Sequence, residues 1–288
     1  MQLRFTNMYG TGNRILIVDE RGENRKPPAA ATVRTLANGP DGLGFDQLMW
    51  VQEPLDSASA ASYRVFNADG SEVEQCGNGA RCVAWLLGHR DGLGPELRLD
   101  SPAGAIEARL CDANRVAVNM GPPAFEPARI PFVAHAVSDA ASDPAGDPAS
   151  GRYRLEVAGE TFEVSVLSMG NPHCVIDVDD VEKADVARIG AVIESHEQFP
   201  ERVNVGFMAI INRREIALRV HERGVGETLA CGTGACAAVV AGRRRGLLDA
   251  EVAVNLPGGQ LVVSWRGAGR PVWLSGDVEV SSEGTIDV

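Results

Sequence analysis

Two cysteines stand in the same short pattern at widely separated places in the chain. Cys76 begins the stretch "CGNGARC", and Cys231 begins "CGTGAC" 155 positions later. In both copies the residues that follow are small and apolar at helical spacing, so each cysteine is predicted to lie at the start of a helix. The positive end of a helix stabilises a thiolate. We therefore expect both thiols to have lowered pKa values and to exchange protons readily.

The same turns could also bind a carboxylate. The first N–H groups of a helix have no intrahelical partner, and the helix dipole adds positive potential there. Gly77, Gly79, Gly232 and Gly234 allow a ligand to approach the backbone closely. Each copy of the pattern thus offers an anion site beside a reactive sulfur.

The repeat extends well beyond the cysteines. At an offset of 155 positions, the residues around both cysteine turns match without a gap, and a slightly different offset aligns Asn13 with Asn171. The matched pairs include Arg64 with Arg219, Glu72 with Glu227, Pro102 with Pro257, Gly104 with Gly259, Arg115 with Arg270, and Gly121 with Gly276. We interpret the chain as a duplication that produced two homologous domains.

The elements around the cysteines indicate an α+β fold. Each half has a strand ("RILIVD" or "CVIDVD"), a second strand, a Gly-rich turn, the helix and then a β-hairpin around a Pro-containing turn. We predict two pseudo-symmetric domains, each a mixed or antiparallel sheet wrapped around a central helix. The predicted domains are 1–131 and 132–276, with a final strand at 277–288 returning to the first. The segment 138–151, rich in Asp, Pro, Ser and Ala, is predicted to be a surface loop.

Two equivalent thiols suggest the inversion of a stereocentre. A base on one face of a carbon removes a proton, and an acid on the other face returns one, while helix N–H groups stabilise the charge on an adjacent carboxylate. A structural role for the cysteines and a redox dithiol are the alternatives; a disulfide would require Cα atoms within about 7 Å of each other.

Composition excludes several classes of protein. A net charge of −12 argues against nucleic acid and anionic membrane partners. The start, "MQLRFTNMYG", has no apolar core of signal-peptide length, and no apolar run in the sequence approaches a membrane span. We expect a cytoplasmic protein. Its six cysteines would then be reduced. The sequence contains no C-x-x-C pair, which argues against a zinc site.

Several motifs together resemble the diaminopimelate epimerases. They are "MYGTGNRILIVD", "FDQL", "FNADGSEVEQCGNGARC", "SMGNPHCVIDV", "ERVNVGFM" and "HERGVGETLACGTGAC", which span almost the whole chain. The resemblance implies interconversion of LL- and meso-2,6-diaminopimelate, a precursor of lysine and peptidoglycan. It also implies a homodimer, no cofactor, no metal, and one catalytic cysteine in each domain, Cys76 and Cys231.

The resemblance also implies roles for polar residues. Glu222 would bind the distal ammonium group, Arg223 would clamp the distal carboxylate, and His173 is either a support for a catalytic sulfur or a structural residue. The implied substrate-binding residues are Asn13, Gln47, Asn67, Gly77, Asn78, Asn171, Asn204, Glu222, Arg223, Gly232 and Thr233.

The residues themselves support chemistry without pyridoxal phosphate. That cofactor needs a lysine for its Schiff base, and the only lysines are Lys26 in a polar loop and Lys183 in an acidic turn. Two alternatives to diaminopimelate epimerisation stay open. One is a related racemase or isomerase acting on proline or hydroxyproline, against which the distal polar residues argue. The other is a redox-sensing or binding protein that joins the two cysteines.

Overall fold

A computed structural model describes residues 2–23, 25–39, 42–73, 76–134, 151–157 and 159–287. They form two compact units, one within 1–119 and 275–288 and the other within 120–274. Residues 138–150 of the predicted surface loop lie outside the described residues. No helix in the described part of the chain is long and apolar enough to cross a bilayer.

Both units combine strands with helices, which confirms the predicted α+β class. The elements up to residue 119 are β1 (Gln2–Gly10), β2 (Asn13–Asp19), α1 (Ala30–Asn38), β3 (Gln47–Gln52), β4 (Ala61–Asn67), β5 (Glu72–Val73), α2 (Gly77–Arg90), β6 (Glu96–Ser101), β7 (Gly104–Leu110) and β8 (Arg115–Asn119). After a 3-10 turn at Pro127–Arg129 come β9 (Arg152–Val157), β10 (Glu160–Ser168), β11 (Pro172–Asp177), α3 (Val186–Glu194), β12 (Asn204–Asn212), β13 (Glu215–Glu222), β14 (Gly226–Thr228), α4 (Gly232–Arg244), β15 (Glu251–Leu256), β16 (Gly259–Trp265) and β17 (Val272–Asp287).

In the first unit the sheet closes into a barrel. β2 and β3 are parallel, as are β4 and β6, while β1–β2, β3–β4, β6–β7 and β7–β8 are antiparallel. The closing strand is β17, which pairs with both β1 and β8. In the second unit β11–β12 and β13–β15 repeat the two parallel pairs.

A buried helix lies in each sheet. α2 packs against β1, β2, β3, β6, β7 and β8, and α4 packs against β10, β11, β12, β13 and β16. Both helices carry small apolar residues on nearly every side, the pattern expected of a helix enclosed by other elements. The prediction of a central helix is confirmed.

The other two helices pack on further apolar clusters. Val33 and Leu36 of α1 are buried with Leu16, Leu48 and Trp50 of β2 and β3. α3 contributes to an equivalent cluster in the second unit. The strands beneath them are therefore covered on both faces, which explains their continuous apolar runs.

The duplication is visible in repeated contacts. Arg64 on β4 forms two hydrogen bonds to the carboxylate of Glu72, and Arg219 on β13 does the same with Glu227. These are two of the pairs that the offset of 155 positions aligned in the sequence.

Candidate active site

Each cysteine caps the helix that follows it. The Sγ atom of Cys76 accepts the N–H of Gly79 at 3.2 Å, and that of Cys231 accepts the N–H of Gly234 at 3.4 Å. Both cysteines have extended backbones, with φ/ψ of −139°/109° and −123°/109°. The sulfur takes the position of the usual capping oxygen and satisfies one N–H of the first turn. The other N–H groups at the start of a helix have no intrahelical partner, so they are suited to binding an anion.

Strand register places the predicted residues at equivalent positions in the two units. Gln47 stands opposite Asn67 where β3 pairs with β4. The pairing of Val205 with His221 puts Asn204 opposite Glu222 in the same way. The parallel pairs agree, because Gln47 lies beside Ile15 and Asn204 beside His173. The equivalent pairs are therefore Asn13 and Asn171, Gln47 and Asn204, Asn67 and Glu222, Gly77 and Gly232, and Asn78 and Thr233.

In the first unit the predicted residues form amide pairs. Nδ2 of Asn78 donates to Oδ1 of Asn13, which joins α2 to the start of β2. Nε2 of Gln47 donates to Oδ1 of Asn67 at 3.2 Å. Gln47 Oε1 and Asn78 Oδ1 are buried and have no hydrogen-bond partner among the residues that the structure describes. Buried carbonyl oxygens of this kind are acceptors suited to a substrate N–H or ammonium group.

In the second unit a chain of contacts leads to the sulfur of Cys231. Nε2 of His173 lies 3.0 Å from Oδ1 of Asn171, and because a carbonyl oxygen only accepts, Nε2 carries the hydrogen. Nδ2 of Asn171 donates to the hydroxyl of Thr233 at 3.3 Å, and that hydroxyl lies 3.6 Å from Sγ of Cys231. His173 is 1% exposed, and burial together with the nearby charge of Arg223 lowers its pKa to about 3. The imidazole of His173 is therefore neutral at physiological pH.

The remaining predicted residues lie where β13 ends. Oε1 of Glu222 accepts the hydroxyl of Thr228, and Arg223 is exposed in the following turn. Asn204 is committed to the backbone, since Nδ2 donates to the carbonyl of Pro172 and Oδ1 accepts the N–H of Arg223, both at 3.0 Å. Both ends of the Asn204 amide group are therefore occupied by main-chain groups.

The pKa of Cys231 is opposite to the sequence expectation. Burial and the negative charge of Glu222 raise the pKa of this thiol well above its ordinary value, while the hydroxyl of Thr233 and the N–H of Gly234 act in the lowering direction. The expectation of a lowered pKa is wrong for Cys231, because removing a thiolate from water costs more than one helix terminus returns. Cys231 is held as a neutral thiol.

This protonation state predicts slow alkylation of Cys231. We expect iodoacetamide to label it far more slowly at pH 7–8 than the exposed Cys111, with a rate that keeps increasing with pH above 9, because only the thiolate reacts. Peptide mapping by mass spectrometry measures both rates in one sample. Equal labelling of the two residues at neutral pH would contradict the raised pKa.

Sequence reasoning did not find every residue around the site. Thr228, which donates a hydrogen bond to Glu222, occupies the position of Val73 in the first repeat. This change from an apolar to a polar residue between the two copies could have indicated its role from the sequence. Glu194, at the end of α3, contacts the turn after Glu222, and no local motif marks it.

Comparison with known proteins identifies the family. The family model for diaminopimelate epimerase matches residues 5–126 and 165–280. The diaminopimelate epimerase of Laribacter hongkongensis strain HLHK9 is 50% identical over 290 residues, covering 99% of each chain. This chain belongs to the diaminopimelate epimerase family.

Other relatives extend the likeness. The diaminopimelate epimerase of Thioalkalivibrio sulfidiphilus strain HL-EbGR7 is 47% identical over 293 residues, covering 100% of both chains. A crystal structure of a hydroxyproline epimerase from Agrobacterium vitis shares the fold, with a TM-score of 0.63 and 16% identity over 99% of this chain and 91% of that one. This chain thus shares its fold with that hydroxyproline epimerase.

Proposed function

We propose that the protein converts LL-2,6-diaminopimelate to meso-diaminopimelate by inverting one α-carbon, a step towards lysine and peptidoglycan. The observation that carries the proposal is the 50% identity to a diaminopimelate epimerase over 99% of both chains. The paired cysteine caps supply a chemistry that suits this reaction, since an inversion needs two proton-transfer groups of the same kind.

In the proposed mechanism Cys76 and Cys231 exchange one proton each with the substrate. The thiolate of one removes the α-proton, and the electrons of the broken C–H bond move into the adjacent carboxylate. The thiol of the other donates its proton to the opposite face of the carbon. The raised pKa keeps Cys231 as the thiol. This is the form that it needs to donate a proton when Cys76 acts as the base. The sulfurs exchange roles in the reverse direction.

Binding of the reacting carboxylate is assigned to backbone N–H groups. Gly77 and Asn78 begin α2, and Gly232 and Thr233 begin α4. N–H groups at a helix start stabilise the extra negative charge that develops when the α-proton leaves.

The distal half of the substrate is assigned to polar side chains. Glu222 binds the distal ammonium group, and Arg223 clamps the distal carboxylate with its planar guanidinium. The buried acceptor Gln47 Oε1 accepts from a substrate N–H group. Asn13, Asn67 and Asn171 complete the proposed binding set.

Proton NMR in D2O tests this function. LL-diaminopimelate incubated with reduced protein is expected to gain deuterium at one α-position as meso product appears. The same assay with proline and hydroxyproline tests the related racemase and isomerase activities. Exchange with either of those substrates, and none with LL-diaminopimelate, would replace the proposed substrate.

The proposed chemistry uses neither a metal nor a carbonyl cofactor. We expect the epimerisation rate to be unchanged within about 1.5-fold after dialysis against EDTA and after treatment with borohydride, which would reduce a Schiff base. A coupled assay for meso product measures this. A large loss that added metal or pyridoxal phosphate restores would contradict the mechanism.

The proposal includes a cytoplasmic homodimer. Cysteines that must alternate between thiol and thiolate suit a reducing compartment. The likeness to diaminopimelate epimerases supports the dimer, and light scattering after size-exclusion chromatography measures it.

A further inference from the structure

The turn that follows Glu222 is held by side chains from outside its own hairpin. It joins β13 to β14 and contains Arg223 and Gly224, with φ of 77° at Gly224. Within the turn, the N–H of Val225 donates to the carbonyl of Glu222 at 3.1 Å. The N–H groups of Arg223 and Gly224 bond instead to Asn204 and to a carboxylate at the end of α3.

That carboxylate is Glu194, whose side chain is 12% exposed. Its Oε1 accepts the N–H of Gly224 at 2.8 Å, and its Oε2 lies 2.9 Å from Nε2 of His221. Arg202 approaches Oε1 at 3.4 Å. Burial acts to raise the pKa of Glu194, but the hydrogen bonds from Gly224 and His221 outweigh it, and the pKa is lowered.

The helix that carries Glu194, α3, approaches β13 closely. A Cβ atom at Gly190 would lie 2.6 Å from Cβ of His221, so glycine is required where α3 crosses β13. His221 immediately precedes Glu222 in the chain. The end of α3 is thus fixed against the strand and the turn that carry the proposed distal-binding residues.

The first unit anchors its equivalent turn with different chemistry. There, Nη1 of Arg34 and Nδ2 of Asn38, both on α1, donate to the carbonyls of Asp69 and Ala68. In the second unit the carboxylate of Glu194 instead accepts the N–H of Gly224. The turn that is anchored by a carboxylate is therefore the one that carries Arg223.

We propose that Glu194 is a positioning residue that sets the place of Arg223 and thereby the affinity for the distal carboxylate of the substrate. The inference rests on the proposed function. Glu222 has a separate support in Thr228 and in the pairing of β13 with β14. Arg223 also has bonds of its own, from its N–H to Asn204 and from Nη1 to the carbonyl of Glu201 at 3.1 Å. Loss of Glu194 should therefore loosen the turn at Gly224 and shift the guanidinium of Arg223, while the residues near Cys231 stay in place.

The test compares three variants by steady-state kinetics with LL-diaminopimelate. Glu194→Ala is expected to raise KM about 10–100-fold with kcat changed by less than about 3-fold, the pattern of lost substrate binding. Glu194→Gln retains an acceptor for Gly224 and should keep KM within about 3-fold of wild type, because the neutral hydrogen bond persists. Asp185→Ala is the matched control, since Asp185 caps the opposite end of α3 by accepting the N–H of Arg188.

Hydrogen–deuterium exchange of the peptide around 220–228 separates anchoring from catalysis. Exchange is expected to accelerate at this peptide in Glu194→Ala but not in Asp185→Ala. An unchanged KM, an equal KM change in Asp185→Ala, or unchanged exchange in Glu194→Ala would overturn the inference. If wild type does not convert LL-diaminopimelate, the proposed function fails and the assigned effect on its affinity is rejected with it. The exchange result then decides the anchoring separately.

Discussion

Serine at Cys76 or at Cys231 is expected to lower kcat for LL-diaminopimelate by about 10²–10⁴-fold, the usual contribution of a general acid or base. Serine is the informative replacement because its oxygen is a good helix cap and can accept the N–H that each sulfur now accepts. The fold should therefore be preserved while the proton-transfer group is lost, since a hydroxyl does not ionise at neutral pH.

The matched control is Cys111→Ser, because Cys111 is exposed and lies outside both cysteine turns. Its rate should equal that of wild type. Circular dichroism and thermal melting confirm that each variant is folded. Full activity in either Cys76→Ser or Cys231→Ser would exclude that sulfur from the reaction and refute the two-cysteine mechanism.

Glu222→Gln is expected to lower kcat/KM for LL-diaminopimelate and, at the same time, to speed the alkylation of Cys231. Loss of the carboxylate removes the proposed ammonium partner, so kcat/KM should fall about 10–200-fold, as for a charged hydrogen bond worth about 1.5–3 kcal/mol. The negative charge of Glu222 contributes to the raised pKa of Cys231, so its removal should lower that pKa. Alkylation of Cys231 should then become faster at a given pH although the enzyme is less active.

Glu227→Gln provides the control for this variant. Glu227 lies in the same hairpin but pairs with Arg219, and a partly exposed ion pair contributes little to stability. Its activity and its rate of Cys231 labelling should remain close to wild type. If Glu222→Gln instead slows the labelling of Cys231, Glu222 does not act on that thiol through its charge.

The sequence was sufficient to predict features that depend on neighbouring residues. A cysteine followed by glycines and a small apolar run produces a capped helix through contacts only three residues apart, and α2 and α4 begin where this predicts. The duplication could also be recognised, because turn glycines and prolines retain their spacing. The hairpins β6–β7 and β15–β16 followed from alternation around a turn.

The tertiary structure decided what depends on residues far apart in the chain. Gln47 stands opposite Asn67, and Asn204 opposite Glu222, through strand register, which motif spacing does not specify. α1 and α3 were not among the predicted elements, and their positions follow from packing on the sheets.

The pKa of Cys231 shows the same division most clearly. Its place at a helix start could be read from the sequence and favours the thiolate. Whether the sulfur faces water or the protein interior, and which charges surround it, depends on the complete fold. Burial and Glu222 prevail over the helix terminus, because the cost of desolvating a charge is set by everything packed around it.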